Sequence, residues 1–322
     1  MRFGNIDHAM TAALFAFLTA LVASPLVLSL LRRGGSVQKV SEFVPEHAAK
    51  HGTPTMGGII VLVGVLAGML FDRREGILVP LILLVGFALI GFVDDYVMPR
   101  AGEKIRGLGW KQKFLAQIAV TLIAYLAGGV REPWVVAYLV FVVLFFANAF
   151  NFVDGMDTLA GGVAVMLAIG FSFVARSSIV DLETERTVLV VLASLAAAFL
   201  PFLFLNAPPA RVFMGDVCAL PVGALLGWSF LVTGRPSQLV PDYISLIALL
   251  VMSSILVVEL VPVPLQIASV KLRKGRRLFP KTPIHHAFQH AGWPETRVVW
   301  TFHLVQAVLV AVGIGLVWRV VG

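Results

Sequence analysis

Five carboxylates in this 322-residue chain stand in short polar strings set between apolar runs. Asp94 and Asp95 are adjacent, directly after the apolar run that ends at Gly91, Phe92 and Val93. Adjacent acids repel, more so beside a membrane, and they need a cation, a basic partner or a shared proton. Asp154 and Asp157 are three apart and follow Asn151 by the same interval, so a helix through them would carry all three on one face. Asp216 closes Phe213-Met214-Gly215-Asp216, immediately before another apolar run. There a carboxylate also favours the positive end of a helix dipole, which is the plainer account of it. A solvated helix end is the plainer account of Asp94 and Asp95. The chain has one cysteine, Cys218, and no His-Glu-x-x-His string. Acids without soft ligands point to a hard cation, magnesium rather than zinc, and magnesium points to phosphate substrates. His285 and His286 follow Thr282 and Pro283 beside a basic stretch, a setting that fits a pyrophosphate as well as a solvated pair.

These residues need elements to hold them, and composition restricts the choice. Hydrophobic residues make up 59% of the chain and charged ones 13%. A soluble globular domain has about 45–50% and about 25%, so a soluble enzyme is excluded. Ten apolar segments are legible, at about 10–31, 56–71, 77–93, 113–129, 134–151, 159–175, 187–205, 217–233, 243–263 and 298–318. Most have the length that a helix needs to cross the hydrocarbon layer. The first is too long for a cleaved signal and reads as a span. The ninth contains Glu259 and ends at Pro262 and Pro264, which predicts a break. Of the 25 Lys and Arg, 16 lie in the odd-numbered loops and six in the even-numbered ones. Positive loops face the cytoplasm, so both termini are expected outside, and the polar strings fall on the cytoplasmic side. Residues 265–281 mix Leu, Ile and Val with Lys and Arg, and are expected in the interface against anionic headgroups. The expectation is an all-α, polytopic integral membrane protein of ten transmembrane helices. It forms one membrane-embedded domain over 1–322.

Taken together, the strings resemble those of the polyprenyl-phosphate N-acetylhexosamine-1-phosphate transferases. The likeness runs from about Pro45 to the C-terminus. Its most discriminating piece comprises Pro45, His47, Lys50 and the run from Gly52 through Thr53, Pro54, Thr55, Met56 and Gly57 to Gly58. The second is Thr282 to His286, which marks the branch that uses UDP-MurNAc-pentapeptide. The resemblance implies that undecaprenyl phosphate attacks the β-phosphorus of UDP-MurNAc-pentapeptide. UMP leaves and lipid I forms, for peptidoglycan synthesis, at the cytoplasmic face of the bacterial inner membrane. It implies Mg²⁺ with Asp216 as metal ligand, and Asp94, Asp95, Asp216 and His285 as the catalytic set. Lys50, Thr55 and Lys113 would stand on the phosphate side, and Asn151, Asp154, Asp157 and Phe213 in the nucleotide pocket. His286 would join His285 at the pyrophosphate or sugar. Membrane lipids and a second copy of the chain, as a homodimer, complete the implied partners, and no nucleic acid is among them.

Four departures stand inside the motifs. Met98 occupies the place of a family lysine, with Arg100 and Lys104 as the nearby cations that could replace it. Ala287 replaces a third histidine, Thr158 a glycine, and Cys218 and Ala219 a Gly-Ser pair. They leave open a transferase for another UDP-N-acetylhexosamine and a divergent, weakly active paralogue. A secondary transporter is the alternative from a different class. Transporters place acids near the bilayer midplane, where this chain has only Glu259, and no internal repeat is visible.

Overall fold

A computed structural model describes residues 2–34, 52–71, 75–101, 107–179, 181–234 and 242–321. Lys50, one of the expected substrate residues, lies outside the described residues. Among the described residues the regular elements are all helical. A hydrocarbon layer demands this, because a spanning segment must pair its own backbone polar groups. The first seven helices are α1 (Arg2–Arg33), α2 (Ile59–Phe71), α3 (Leu78–Phe92), α4 (Met98–Ala101), α5 (Trp110–Ala127), α6 (Pro133–Val153) and α7 (Leu159–Ser178). The rest are α8 (Leu182–Asn206), α9 (Asp216–Thr233), α10 (Asp242–Met252), α11 (Ser254–Leu260), α12 (Pro262–Leu272), α13 (Ile284–His290) and α14 (Glu295–Val321).

Among the described residues, eight stretches are long and apolar enough to cross a membrane: Ile6–Arg33, Leu78–Arg100, Pro133–Val153, Leu159–Ser178, Leu182–Asn206, Asp216–Thr233, Ser254–Leu272 and Glu295–Val320. Helix α2 and the stretch Tyr243–Met252 are apolar but shorter. Helix α5, over the expected fourth span, carries Lys111 and Lys113 and buries Gln117 and Thr121. Over the expected ninth span and beyond it, the chain runs as α10, α11 and α12, divided at Ser253 and at Val261, the residue before Pro262.

Helix α9 is the centre. It is apolar on every side and buried along nearly its whole length, packed by α3, α6, α7 and α8. Small residues let its neighbours close in. A Cβ on Gly223 would stand 2.5 Å from the carbonyl oxygen of Phe146 on α6. A Cβ on Gly91 of α3 would stand 2.2 Å from the carbonyl oxygen of Asp216. That second approach fixes the end of α3 on the start of α9, and Asp94 follows three residues later. At the periphery, Ala12, Ala16 and Ala20 of α1 are fully buried at four-residue spacing. The Ala12 and Ala16 carbonyls and the Ala20 methyl sit against Gly64 and Gly68 of α2. Lipid tails are as apolar as leucine, so close packing of small residues supplies the attraction there. Leu14, Leu18 and Val22 of α1 and Trp300, Leu304 and Val308 of α14 point outward and exposed, as a lipid-facing surface requires.

Candidate active site

Three helix ends build the site. Beyond α3 the chain takes a π-helical turn, Val93–Val97, containing Asp94 and Asp95. A π turn has an extra residue per turn, which narrows the angle between successive side chains, and such turns recur at functional sites. Asp216 is the first residue of α9, after Gly215 at φ 78°. A Cβ on Gly215 would meet Asp95 Oδ2 at 2.6 Å and Thr55 Oγ1 at 3.1 Å, so only glycine fits both the turn and the approach. The segment containing Thr55 is stitched to this loop by the backbone. Phe213 N donates to Pro54 O at 2.8 Å, Gly57 N to Phe213 O at 2.7 Å, and Gly58 N to Met214 O at 3.1 Å.

Asp94, Asp95 and Asp216 each bring one carboxylate oxygen to a place where the three lie within 4.8 Å of one another. Each acid is partly pinned. Asp94 Oδ1 accepts from Leu108 N at 2.6 Å, and Asp95 Oδ2 from Val217 N at 3.0 Å. Asp216 Oδ1 accepts from Asn151 Nδ2 at 2.8 Å. The ammonium of Lys113, from the first turn of α5, reaches Asp94 Oδ2 at 3.3 Å and also pairs with Asp216 Oδ2. Three carboxylates against one ammonium leave acceptors in excess. The donor set is all oxygen, with no Cys or His in it, and it fits a hard divalent cation. Arg100, one of the two cations near Met98, packs on Tyr96 of its own segment. Its guanidinium lies 3.7 Å from the Tyr96 ring centroid and donates to Gly34 O at 2.6 Å.

One expectation needs correction. Asn151, Asp154 and Asp157 do not share a helix face, because α6 ends at Val153. Asp154 is its C-cap, at φ −77° and ψ 56°, and Asp157 lies in the turn before α7. Asn151 reaches Asp216, whereas Asp157 is buried. Asp157 Oδ2 accepts from Ala210 N at 3.2 Å, and its own N donates to Glu295 Oε1 at 2.9 Å. Gly155, between them, faces His285: a Cβ there would stand 2.3 Å from His285 Nε2. The segment from Asn151 to Gly155 therefore joins the acid cluster to the histidines. His285 is fully buried, and its ring centroid lies 4.2 Å from that of His286. His286 Nδ1 pairs with Gln289 Oε1 at 3.0 Å.

Comparison with known proteins decides the family. A transferase of Staphylococcus haemolyticus (strain JCSC1435), a phospho-N-acetylmuramoyl-pentapeptide-transferase, is 33% identical over 327 residues, covering 92% of this chain and 96% of the relative. The protein of the same name in Staphylococcus aureus (strain JH9) is 34% identical over 328 residues, covering 94% and 97%. This chain belongs to the phospho-N-acetylmuramoyl-pentapeptide-transferase family. Phospho-N-acetylmuramoyl-pentapeptide-transferase signature 1 matches residues 50–62, which include Lys50 and Thr55. The family model "Glycosyl transferase family 4" matches residues 77–234, which include the three clustered acids, Lys113, Asn151 and Phe213. With eight stretches among the described residues long and apolar enough to cross a membrane, the chain is a multi-pass membrane protein and a transferase.

The structure adds residues that the strings do not reveal. Glu259 accepts from His285 at two positions. Asn206 accepts from Thr158 N at 2.7 Å and donates to Val212 O at 2.9 Å, tying the turn before α7 to the loop before α9. Gln117 accepts from Asn148 Nδ2 at 2.8 Å, which holds α5, and so Lys113, against α6. The signal for Glu259 was present, as an isolated acid in an apolar run, but its partner lies 26 residues away.

Proposed function

We propose that this chain transfers phospho-MurNAc-pentapeptide from UDP-MurNAc-pentapeptide to undecaprenyl phosphate, releasing UMP and forming lipid I in peptidoglycan synthesis. The observation that carries the proposal is the cluster of Asp94, Asp95 and Asp216 with Lys113 and Asn151. Four separate parts of the chain meet there, in a protein that matches phospho-N-acetylmuramoyl-pentapeptide-transferases over nearly its whole length.

The cluster supports Mg²⁺ as the cofactor, with Asp216 as direct ligand and Asp94 and Asp95 beside it. Bound there, the ion would neutralise charge on the pyrophosphate and on the departing UMP. The remaining work belongs to the chain. Lys113, with Thr55 and Lys50, supplies donors and positive charge on the phosphate side. Asn151, Asp154, Asp157 and Phe213 form the nucleotide side, and His285 and His286 the pyrophosphate or sugar side. A phosphate monoester is largely ionised at neutral pH, its second pKa being about 6, so the attacking lipid phosphate needs no obligatory base. Catalysis is then positioning and charge neutralisation.

We read α2, α5 and the run α10 to α12 as crossings that, with seven of the apolar stretches, make ten. Both termini then lie outside, and the site faces the cytoplasm across the inner membrane as part of one domain. The asymmetry of Lys and Arg supports this orientation. The test is specificity. UDP-MurNAc-pentapeptide should support exchange of labelled UMP, and UDP-GlcNAc should do so much more weakly. The opposite preference would assign the chain to another branch, and no exchange with either would make it an inactive paralogue.

A further inference from the structure

Glu259 and His285 are both completely buried. Glu259 sits on α11, and His285 in the first turn of α13. Both carboxylate oxygens are committed to one residue: Oε1 accepts from His285 N at 3.1 Å, and Oε2 pairs with His285 Nδ1 at 2.9 Å. A carboxylate can only accept, so Nδ1 carries a proton. The other ring nitrogen, Nε2, is buried and has no hydrogen-bond partner among the described residues. It is aimed at Gly155, where the absence of a Cβ leaves the backbone of the turn that includes Asp154 and Asp157 as its neighbour. A packed apolar pair would hold α11 against α13 more cheaply than a buried acid and imidazole. Leaving Nε2 unpaired inside the protein is a further cost that a structural role does not explain.

We propose that Glu259 is a positioning residue, which sets the proton on Nδ1 of His285 and leaves Nε2, held at the Gly155 turn, as the acceptor that meets the transferred group. The proposal rests on the transferase reading above and deepens it. Glu259 would touch no substrate and would act through His285 alone, as second partners of functional histidines do.

Glu259→Gln gives a sharp test. The glutamine has one oxygen, and the His285 N–H, which can only donate, requires it. The amide NH₂ then faces Nδ1, which must become the acceptor, and the proton moves to Nε2. In ¹⁵N-histidine spectra of the full-length protein in detergent, the His285 proton should lie on Nδ1 in the wild type and on Nε2 in Glu259→Gln. The kcat for transfer should fall by about 10- to 100-fold, with little change in KM for the nucleotide sugar. In a His285→Gln background the same change should cost nothing further, because the residue through which it acts is already gone. Glu259→Asp, which keeps the carboxylate, should recover part of the loss and the wild-type tautomer. An unchanged tautomer in Glu259→Gln overturns the proposal whatever the activity. So does an equal loss in both backgrounds, or wild-type kcat with the tautomer inverted. A wild-type protein without transferase activity counts against the functional reading instead, since the tautomer is read without turnover.

Discussion

Asp216→Asn keeps the size of the side chain and removes its charge. In the structure both Asp216 oxygens face donors: Oδ1 faces Asn151 Nδ2 at 2.8 Å, and Oδ2 the Lys113 ammonium. Asparagine offers one oxygen and one amide NH₂, so one of those two donors must lose its acceptor. Lys113 keeps Asp94 Oδ2 at 3.3 Å, which makes the loss partial. A hydrogen bond to a charged group contributes about 1.5–3 kcal/mol, and a carboxylate at a helix start about 0.3–1 kcal/mol. The Lys113 and Asp216 side chains are 17% and 25% exposed, so solvent screens part of this. We expect a stability loss of about 2 kcal/mol, more than the dipole alone would give. Activity should suffer more. Removing the charge of the proposed ligand of a hard cation should take away a stabiliser of transition-state charge, with a drop of roughly 10²-fold or more in kcat, about 2.7 kcal/mol. The assay is UMP release at saturating substrates with Mg²⁺ titrated, beside thermal unfolding in the same detergent. Near wild-type kcat in well-folded Asp216→Asn at limiting Mg²⁺ would refute the assignment.

Two further predictions follow. Asp181 caps α8: its Oδ2 accepts from Thr184 N at 2.9 Å and from the Thr184 hydroxyl, and these bonds hold its carboxyl below the usual range. Asp181→Asn, also a good cap, should be near neutral, whereas Asp181→Ala should cost about 0.5–1 kcal/mol, at the lower end because the residue is exposed. The contribution of the carboxylate is complete above the unfolded-state pKa of about 4, and is lost as pH falls through the lower folded value. Thermal unfolding at pH 7 and pH 3 checks both statements, since wild type and Asp181→Ala should converge at the lower pH. Orientation is checked by labelling. Cysteines at exposed Arg276 and Leu278 should be reached by impermeant reagents from the cytoplasmic side only, and one at exposed Glu183 from outside only. Native Cys218 is buried in α9 and need not be removed. Reversed labelling would overturn the orientation.

The acids of the site were legible because an apolar chain leaves polar residues conspicuous. Asp94, Asp95, Asp154, Asp157 and Asp216 were read together as acids for a hard cation, and of these Asp94, Asp95 and Asp216 bring one oxygen each within 4.8 Å of one another. Partnerships were not legible, because they depend on which helices touch. Lys113 read as a phosphate-side residue and proves to bridge Asp94 and Asp216. The even spacing of Asn151, Asp154 and Asp157 predicted a shared helix face, but α6 stops at Val153 and the three diverge. Glu259 was visible as a midspan acid, whereas the buried histidine that it holds was not. Ser178 lies beyond the end of the sixth expected span, 159–175, yet it is buried and bonded to Ser245 at 2.7 Å, joining α7 to α10. Helix content, by contrast, follows from composition alone, since an apolar chain in lipid has few ways to pair its backbone.

The central claim is that the phosphorus next to the sugar stays with the sugar and passes to the lipid. Purified protein incubated with undecaprenyl phosphate and UDP-MurNAc-pentapeptide, labelled in separate samples at the α- or the β-phosphorus, tests it directly. The β-label should enter the organic phase with the lipid product, and the α-label should be recovered as UMP. Recovery of both labels together as UDP, or of the β-label as inorganic phosphate, would contradict it.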